Sequence, residues 1–329
     1  MSQYYLLKAL DEAYKRRGFT APNPAVGAVV VSDNKIIASG THWGPGHAHA
    51  ERHALSKLPR HVTRGTTLYV TLEPCCHEGR TPACTDAIIE AGVSRVVYAM
   101  RDPNLPNATR GHDVLSAHGI EVVHEPLPEI DAFYEAYCCW LATKRPFVIA
   151  KLALSKDDDI AYLDGNPAVL SGPEAAQFTH QQRLYADVIL TTATTVLNDD
   201  PALNVRLGDK RIAKPVCVLD SKQRLTGNER LFKTAEKVFC LNEGHQDLNH
   251  VIASLGEQGY HQVWVEVGAT ALHALLEQAL VQRLILYKTP TKLAAPGLKA
   301  SIIPTNFNPK TTQSCALGQD IVVQYDFCG

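Results

Sequence analysis

His49 and Glu51 stand in "HAHAERHAL", and Cys75, Cys76, His77 and Cys84 stand in "TLEPCCHEGRTPAC", Thr71 to Cys84. Imidazoles and thiolates are the ligands of Zn2+, and a carboxylate that stays off the metal can move protons beside it. Three protein ligands leave the fourth tetrahedral position for water, as a catalytic site requires. A structural zinc would need a fourth ligand and would leave Glu51 without a task. Water held there ionises near neutral pH and becomes a nucleophile. Cys75 and Cys76 are adjacent, so at most one of them faces a given small site. With His49 and Cys75 as two ligands, spacing alone leaves Cys84, Cys76 or His77 as the third.

The order of these residues has the form of a zinc deaminase signature, H-x-E followed by P-C-x-x-C. His49-Ala50-Glu51 and Glu73-Pro74-Cys75 supply it, but Cys75-x-x lands on Glu78, and the next cysteine after Cys76 is Cys84. Residues i and i+2 of a helix lie about 200° apart. His49 and Glu51 therefore converge on one metal only if it sits at a helix end. Cys84 opens the predicted helix "CTDAIIEAG". Two helix N-termini at one site favour thiolate and hydroxide.

Those residues need elements to hold them. "AVGAVVVSD" and "KIIASGTH", split near Asp33-Asn34, read as a hairpin. "HAERHALSKL" follows as helix, "TTLYVTLEP" as strand, "CTDAIIEAG" as helix and "RVVYAM" as strand. "GHDVLSAHG" is a helix ended by Gly119, and "IEVVHE" is a further strand. Such alternation predicts an α/β layer with parallel strands buried on both faces. A helix from about Pro128 to Thr143 leads to Pro146, where a β-rich run begins. This break divides the chain into domains 1–145 and 146–329. In the second, "DVILTT", "KPVCVLDS", "KVFCLNE", "QVWVEVG" and "RLILYKTP" read as strands, with helices through "LNHVIASLGEQG" and "ATALHALLEQAL".

Bulk properties agree. A chain of 329 residues has room for two domains of about 100–200 residues each. Its 45% hydrophobic and 20% charged content is that of a soluble globular protein. A net charge of -2 gives no global attraction to a polyanion, so no nucleic-acid partner is expected. No run reaches the roughly 18 apolar residues of a membrane span, and the N-terminal stretch lacks a signal peptide's apolar core. Nine cysteines at irregular spacing suit a reducing compartment. A cytoplasmic protein with no membrane partner is expected.

"NPAVGAVVV", "GTHWGPGHAHAER", "TLEPCCHEGRTPAC" and "AMRDPN" resemble the deaminase half of the riboflavin-biosynthesis deaminase–reductase family. The resemblance spans nearly the whole first domain. It implies a cytidine-deaminase-like three-layer α/β fold, with His49, Cys75 and Cys84 as zinc ligands and Glu51 as proton shuttle. Cys76 and His77 are then neighbours. The family's "NPAVG" loop lies at the substrate pocket, which makes Asn23 a candidate contact to the pyrimidine. Arg80 is a candidate for the substrate phosphate, though a solvated arginine is the plain alternative. His42, His47 and His53 taken singly read as surface or hydrogen-bonded histidines.

"RPFVIAKLALS", "TTATTVLNDDPALNVR" and "VWVEVGATALHALLEQALV" resemble the reductase half of the same family, which implies a dihydrofolate-reductase-like α/β fold. Arg183, Leu203, Arg206 and Glu266 fall on the family's substrate contacts. Ala153, Thr195, Asp199 and the Gly268 segment fall on its NADPH contacts. A strand ending at Gly268 before a helix suits a phosphate, a weak signal without a full glycine-rich fingerprint. Other positions depart from the family. Its S-x-D-G-R reads "SKDDD" here, so Asp158 and Asp159 replace a glycine and an arginine. Pro167 and Val169 stand where the family has serine and tryptophan, its paired glycine is broken in "EVGAT", and L-V-D-E-L becomes "LVQRL". Two carboxylates facing the site would repel a phosphate, and a lost tryptophan removes a flat surface for a cofactor ring. Two readings follow: a diverged, working reductase, or a reductase-like domain kept for structure or oligomerisation. The resemblance implies a phosphorylated pyrimidine substrate: 2,5-diamino-6-(5-phosphoribosylamino)pyrimidin-4(3H)-one, deaminated with Zn2+ and then reduced with NADPH. A homodimer or higher homo-oligomer is the expected assembly.

Overall fold

Asp33 and Asn34 both take positive φ, 47° and 60°, the backbone that a two-residue hairpin turn demands at its two centres. They join β1 (Gly27–Ser32) to β2 (Lys35–Thr41), with Ser32 paired to Lys35. The computed structural model describes residues 1–59, 65–77, 82–104, 110–162, 168–241, 247–300 and 307–327. The chain divides into two compact units, Met1–Thr143 and Lys144–Gly329.

In the first unit α1 (Ser2–Tyr14) precedes the hairpin. Then come α2 (Ala50–Leu55), β3 (Thr67–Leu72), α3 (Cys84–Ala91) and β4 (Arg95–Met100). The unit closes with α4 (Arg110–Ala117), β5 (Glu121–His124) and α5 (Pro128–Thr143). The sheet order is β2-β1-β3-β4-β5, antiparallel at the hairpin and parallel from β3 to β5. Helices bury one stripe each: Leu6, Ala9, Leu10 and Ala13 on α1, and Ile130, Phe133, Tyr134 and Tyr137 on α5. Both sets follow the three- and four-residue steps of an amphipathic helix. Helix α2 lies tight on the hairpin because Gly40 has no side chain. A Cβ there would meet the Ala50 carbonyl oxygen at 2.1 Å.

The second unit begins with β6 (Phe147–Leu154), β7 (Asp159–Tyr162), α6 (Pro173–Tyr185) and β8 (Val188–Thr192). Next are α7 (Ala193–Asp199), β9 (Val205–Leu207), β10 (Lys210–Ile212) and β11 (Pro215–Leu219). They are followed by α8 (Leu231–Thr234), β12 (Lys237–Leu241), α9 (Leu248–Glu257) and β13 (Gln262–Glu266). Last are α10 (Ala269–Glu277), β14 (Arg283–Lys288), β15 (Gly297–Lys299), β16 (Thr311–Leu317) and β17 (Asp320–Asp326). An eight-stranded sheet runs β12-β11-β8-β13-β6-β14-β17-β16. It is parallel from β12 to β14 and antiparallel at β17 and β16. β8, β11 and β13 are buried along nearly their whole length, as strands covered on both faces must be. The C-terminal hairpin and the small ribbons β9–β10 and β7–β15 add antiparallel pairs to the alternation expected from the sequence.

Candidate active site

His49 is the N-cap of α2, Cys84 is the first residue of α3, and Cys75 lies in the loop after β3. Two elements are thus aimed by their ends at a third. His49 Nδ1 lies 3.4 Å from Cys75 Sγ and 3.3 Å from Cys84 Sγ, and the three donor atoms fall within 4.8 Å of one another. A tetrahedral zinc with ordinary Zn–N and Zn–S bonds would hold nitrogen and sulfur roughly 3.6 Å apart. The donor set therefore fits Zn2+ in both chemistry and size. Cys76 and His77 stand outside the cluster, and His77 lines the neighbouring cavity. Arg52, one residue beyond Glu51, binds the two ligand segments together. Its Nε donates to the Pro82 carbonyl at 3.0 Å and its Nη2 to the Ala83 carbonyl at 2.9 Å, just ahead of Cys84.

Glu51, in the first turn of α2, is 3% exposed and hydrogen-bonds to the Cys84 side chain without joining the donor set. Burial, reinforced by the nearby Cys75 charge, pushes its carboxyl up to about 7. A dication at the donors would pull it back toward the ionised form. Hydrogen bonds from Cys84 and His49 bring the Cys75 thiol well down, which favours its thiolate form. Cys84 goes the other way, because it donates to Cys75 and is buried beside Glu51. His49 is raised by its hydrogen bond to Cys75. One proton shared among closely packed donors is what a cation displaces on binding.

A cavity of about 340 Å³ opens onto the donors, lined among others by Asn23, His42, Glu51, Glu73, Asp102 and Asn104. The Asn23 loop is pinned from beneath: Tyr134 donates its hydroxyl proton to the Ala25 carbonyl at 3.0 Å and pairs with Thr71 Oγ1 at 2.6 Å. His42 is 2% exposed. Its Nδ1 faces the Ala48 carbonyl at 3.1 Å, which accepts only, so Nδ1 carries the hydrogen. Its Nε2 then accepts from Asn23 Nδ2 at 3.0 Å, which leaves the Asn23 side-chain oxygen as the free end of that amide. His53 has a packing task instead, with Nδ1 against the Thr41 backbone. Arg80 lies outside the described residues.

Glu73, at 4% exposure, shapes the opposite wall. Its Oε2 accepts the Asp102 N–H at 3.3 Å and its Oε1 the His112 N–H at 3.1 Å. Helix α4 can come this close because of Gly111, where a Cβ would stand 2.0 Å from the Pro74 carbonyl oxygen. Sequence reasoning missed Glu73, Asp102, Asn104 and the part played by His42. The "AMRDPN" segment held a signal for Asp102 and Asn104. Nothing local marks Glu73 as a bracket for residues 29 and 39 positions away.

In the second unit Lys151, Arg183, Asp199, Arg206 and Glu266 form one electrostatic group. Arg183 grips Glu266 with two bonds, Nε to Oε1 at 2.5 Å and Nη2 to Oε2 at 2.9 Å, and Trp264 Nε1 adds a third donor at 2.7 Å. Burial opposes ionisation of Glu266, but Arg183, Lys151 and Trp264 overcome it and hold the carboxyl at about 2. Lys151 is register-paired with Glu266 and lies over the Tyr287 ring; burial lowers its pKa. Burial likewise raises Asp199. Thr195 donates its N–H to Thr192 Oγ1 at the start of α7, and Gly268 caps α10 with nothing within 4 Å of a Cβ placed there. Ala153 is paired with Tyr287 across β6 and β14. Leu203, 2% exposed, takes φ 42°, a strained conformation for leucine of the sort held at functional sites. Thr195 and Gly268 follow the carboxyl ends of the adjacent parallel strands β8 and β13, the end at which ligands bind in open α/β sheets, and Asp199 closes α7.

The departures from the family have particular places. Asp159 does not stand as an unpaired charge: it is 6% exposed and meets Lys299 Nζ at 3.0 Å. Asp158 keeps a glycine-like backbone at φ 61°. Val169 is 91% exposed. Gln282, in "LVQRL", is tied to β6 by its side-chain oxygen, which accepts the Val148 N–H at 2.7 Å. Pro167 lies outside the described residues.

Residues 1–100 match the model of the cytidine and deoxycytidylate deaminase zinc-binding region, and residues 146–323 match that of the RibD C-terminal domain. The riboflavin biosynthesis protein RibD of Escherichia coli is 36% identical, over 92% of this chain and 91% of the relative. The chain belongs to the RibD family. The RibD of Aquifex aeolicus is 34% identical over 97% of this chain and 96% of its own. A Thermotoga maritima structure, described as a diaminohydroxyphosphoribosylaminopyrimidine deaminase/5-amino-6-(5-phosphoribosylamino)uracil reductase, superposes with TM-score 0.86 at 31% identity, covering 99% of each chain. Acinetobacter baumannii RibD gives 0.85 at 28% identity, over 99% of this chain and 98% of that one. As a RibD-family enzyme, the protein serves riboflavin biosynthesis with deaminase and reductase activities. Its cofactors are zinc and NADPH, and its substrate is a small pyrimidine. Among the described residues no helix is long and apolar enough to cross a membrane.

Proposed function

We propose that residues 1–145 deaminate 2,5-diamino-6-(5-phosphoribosylamino)pyrimidin-4(3H)-one to 5-amino-6-(5-phosphoribosylamino)uracil, and that residues 146–329 reduce its ribosyl group to ribityl with NADPH. The observation that carries the first step is a three-donor cluster at the cavity, with the buried Glu51 carboxyl beside the donors and not among them. His49, Cys75 and Cys84 would hold Zn2+, which supplies a Lewis acid able to make water nucleophilic near neutral pH. Glu51 takes a proton from that water and passes it to the ring nitrogen beside the attacked carbon. It then carries a second proton to the departing amine, so water's two hydrogens leave one on the ring and one on ammonia. Burial raises the Glu51 carboxyl and a dication at the donors would lower it again, opposing pulls that suit a group which must both take and give protons. Asn23, held by His42, presents an oxygen to the N–H groups of the pyrimidine.

For the second step, Arg183, Leu203, Arg206 and Glu266 are assigned to the substrate, and Ala153, Thr195, Asp199 and Gly268 to NADPH. The pairing of Asp159 with Lys299 supports a working reductase, because it removes one of the two carboxylates that would repel a phosphate. A homodimer or higher homo-oligomer goes with this proposal, supported by the exposed outer strand β16. A cytoplasmic location would keep the Cys75 and Cys84 thiols reduced for zinc. The test is Glu51→Gln in the full chain. It should keep wild-type zinc content, lose about 10²–10⁴-fold in ammonia release, and still oxidise NADPH when given the deaminated pyrimidine. Ammonia release at the wild-type rate would refute the shuttle, and absent NADPH oxidation in wild type would leave a deaminase only.

A further inference from the structure

His180 lies on α6, one turn before Arg183, and is 9% exposed. Its Nε2 stands 3.2 Å from Arg206 Nε. A guanidinium has donors only, so Nε2 must offer its lone pair and the ring hydrogen must sit on Nδ1. The Arg206 backbone N–H also points at Nδ1, from 3.3 Å, so both ring nitrogens face donors of Arg206, and the ring's one lone pair serves the side-chain bond when the Nδ1 hydrogen goes to the Asn204 carbonyl. Burial, together with the charges of Arg183 and Arg206, pushes His180 down to about 4, so the ring stays neutral and its acceptor stays available.

The other side of Arg206 is open. Arg206 is exposed, and neither terminal nitrogen has a hydrogen-bond or ion-pair partner among the described residues. On the β9–β10 ribbon it is paired with Arg211, and the charges of Arg183, Arg230 and Arg211 all bear on it. Like charges set opposite each other on a ribbon destabilise it. An arginine fork kept in such surroundings suits an oxyanion, which it grips with two parallel bonds if its plane is fixed.

We propose that His180 is a positioning residue of the reductase: by accepting the Nε hydrogen it locks the Arg206 guanidinium with both terminal amino groups turned to the phosphorylated substrate. This rests on the assignment of Arg206 to the substrate, and the experiment separates the two. NADPH oxidation by the full-length protein is followed against the concentration of 5-amino-6-(5-phosphoribosylamino)uracil. His180→Ala should raise the KM for the pyrimidine about tenfold, the scale of one lost hydrogen bond to a charged group, with kcat and the KM for NADPH near wild type. His180→Gln, whose side-chain oxygen can take the same hydrogen, should recover most of the loss. His180→Leu keeps volume without an acceptor and stands in if the alanine variant does not fold; its KM should rise as well. The double variant with Arg206→Ala should be no worse than Arg206→Ala alone. A wild-type KM in His180→Ala or His180→Leu beside a damaged Arg206→Ala overturns the positioning role alone, as do losses that multiply in the double variant. A harmless Arg206→Ala sinks the assignment of Arg206 and this proposal with it.

Discussion

Glu73→Gln tests whether the carboxylate beside the donor loop is a bracket for the cavity wall. Glu73 meets two backbone N–H groups, one on each oxygen, and is 4% exposed. A glutamine has one oxygen for two donors, so either Asp102 N–H or His112 N–H must face an amide NH₂. One hydrogen bond to a charged group is lost, about 1.5–3 kcal/mol, and a buried donor is left without an acceptor, about 1–3 kcal/mol more before relaxation. A net cost of roughly 2–4 kcal/mol would lower the melting temperature of a unit this size by about 6–12 °C. Calorimetry of the zinc-loaded full chain should show that drop in one transition. The KM for deamination should rise, because Asp102 lines the cavity. Zinc content should not change, since no donor atom is touched. An unshifted transition, or zinc lost in step with activity, would refute the bracket.

Other outcomes follow from the same geometry. Gly111→Ala drives a methyl toward the Pro74 carbonyl, so it should raise the KM for deamination with the reductase unaffected; a wild-type KM would deny the close approach of α4. Cys84→Ser should lose zinc by metal analysis, and deamination with it, while NADPH oxidation persists on supplied product. The Glu266 carboxyl is held at about 2 against an ordinary 4.5, so its ionised form stabilises the second unit above 4.5, and that contribution fades as pH falls from 4.5 toward 2. Denaturation across that range should show the loss. Arg183→Met takes both guanidinium bonds from the buried carboxylate and leaves it only Lys151 and Trp264, so it should cost about 3–5 kcal/mol at neutral pH and flatten the dependence.

The fold was legible wherever neighbours along the chain decide the backbone. Asp33-Asn34 marked the hairpin because few residues accept positive φ twice in succession. The stripes of α1 and α5 were legible for the same reason: periodicity is local. The ribbons around β7, β9 and β10 were not, because three- and four-residue strands carry too little pattern to stand out. The surroundings of "SKDDD" were not legible from the sequence, for Lys299, the partner of Asp159, lies 140 positions away in the chain.

The amino-acid order alone determined the kinds of chemistry available: imidazole, thiolate and carboxylate in a spacing that suits zinc, and an alternation of strands and helices to carry them. Tertiary structure alone decided which lone pair faces which hydrogen. The hydrogen on His42, the two N–H groups on Glu73, the Arg183–Glu266 pair and the His180–Arg206 contact each join separate elements. Hydrogen bonds depend on distances of a few tenths of an ångström, and no local pattern encodes distances between segments that meet only when the sheet and its helices close.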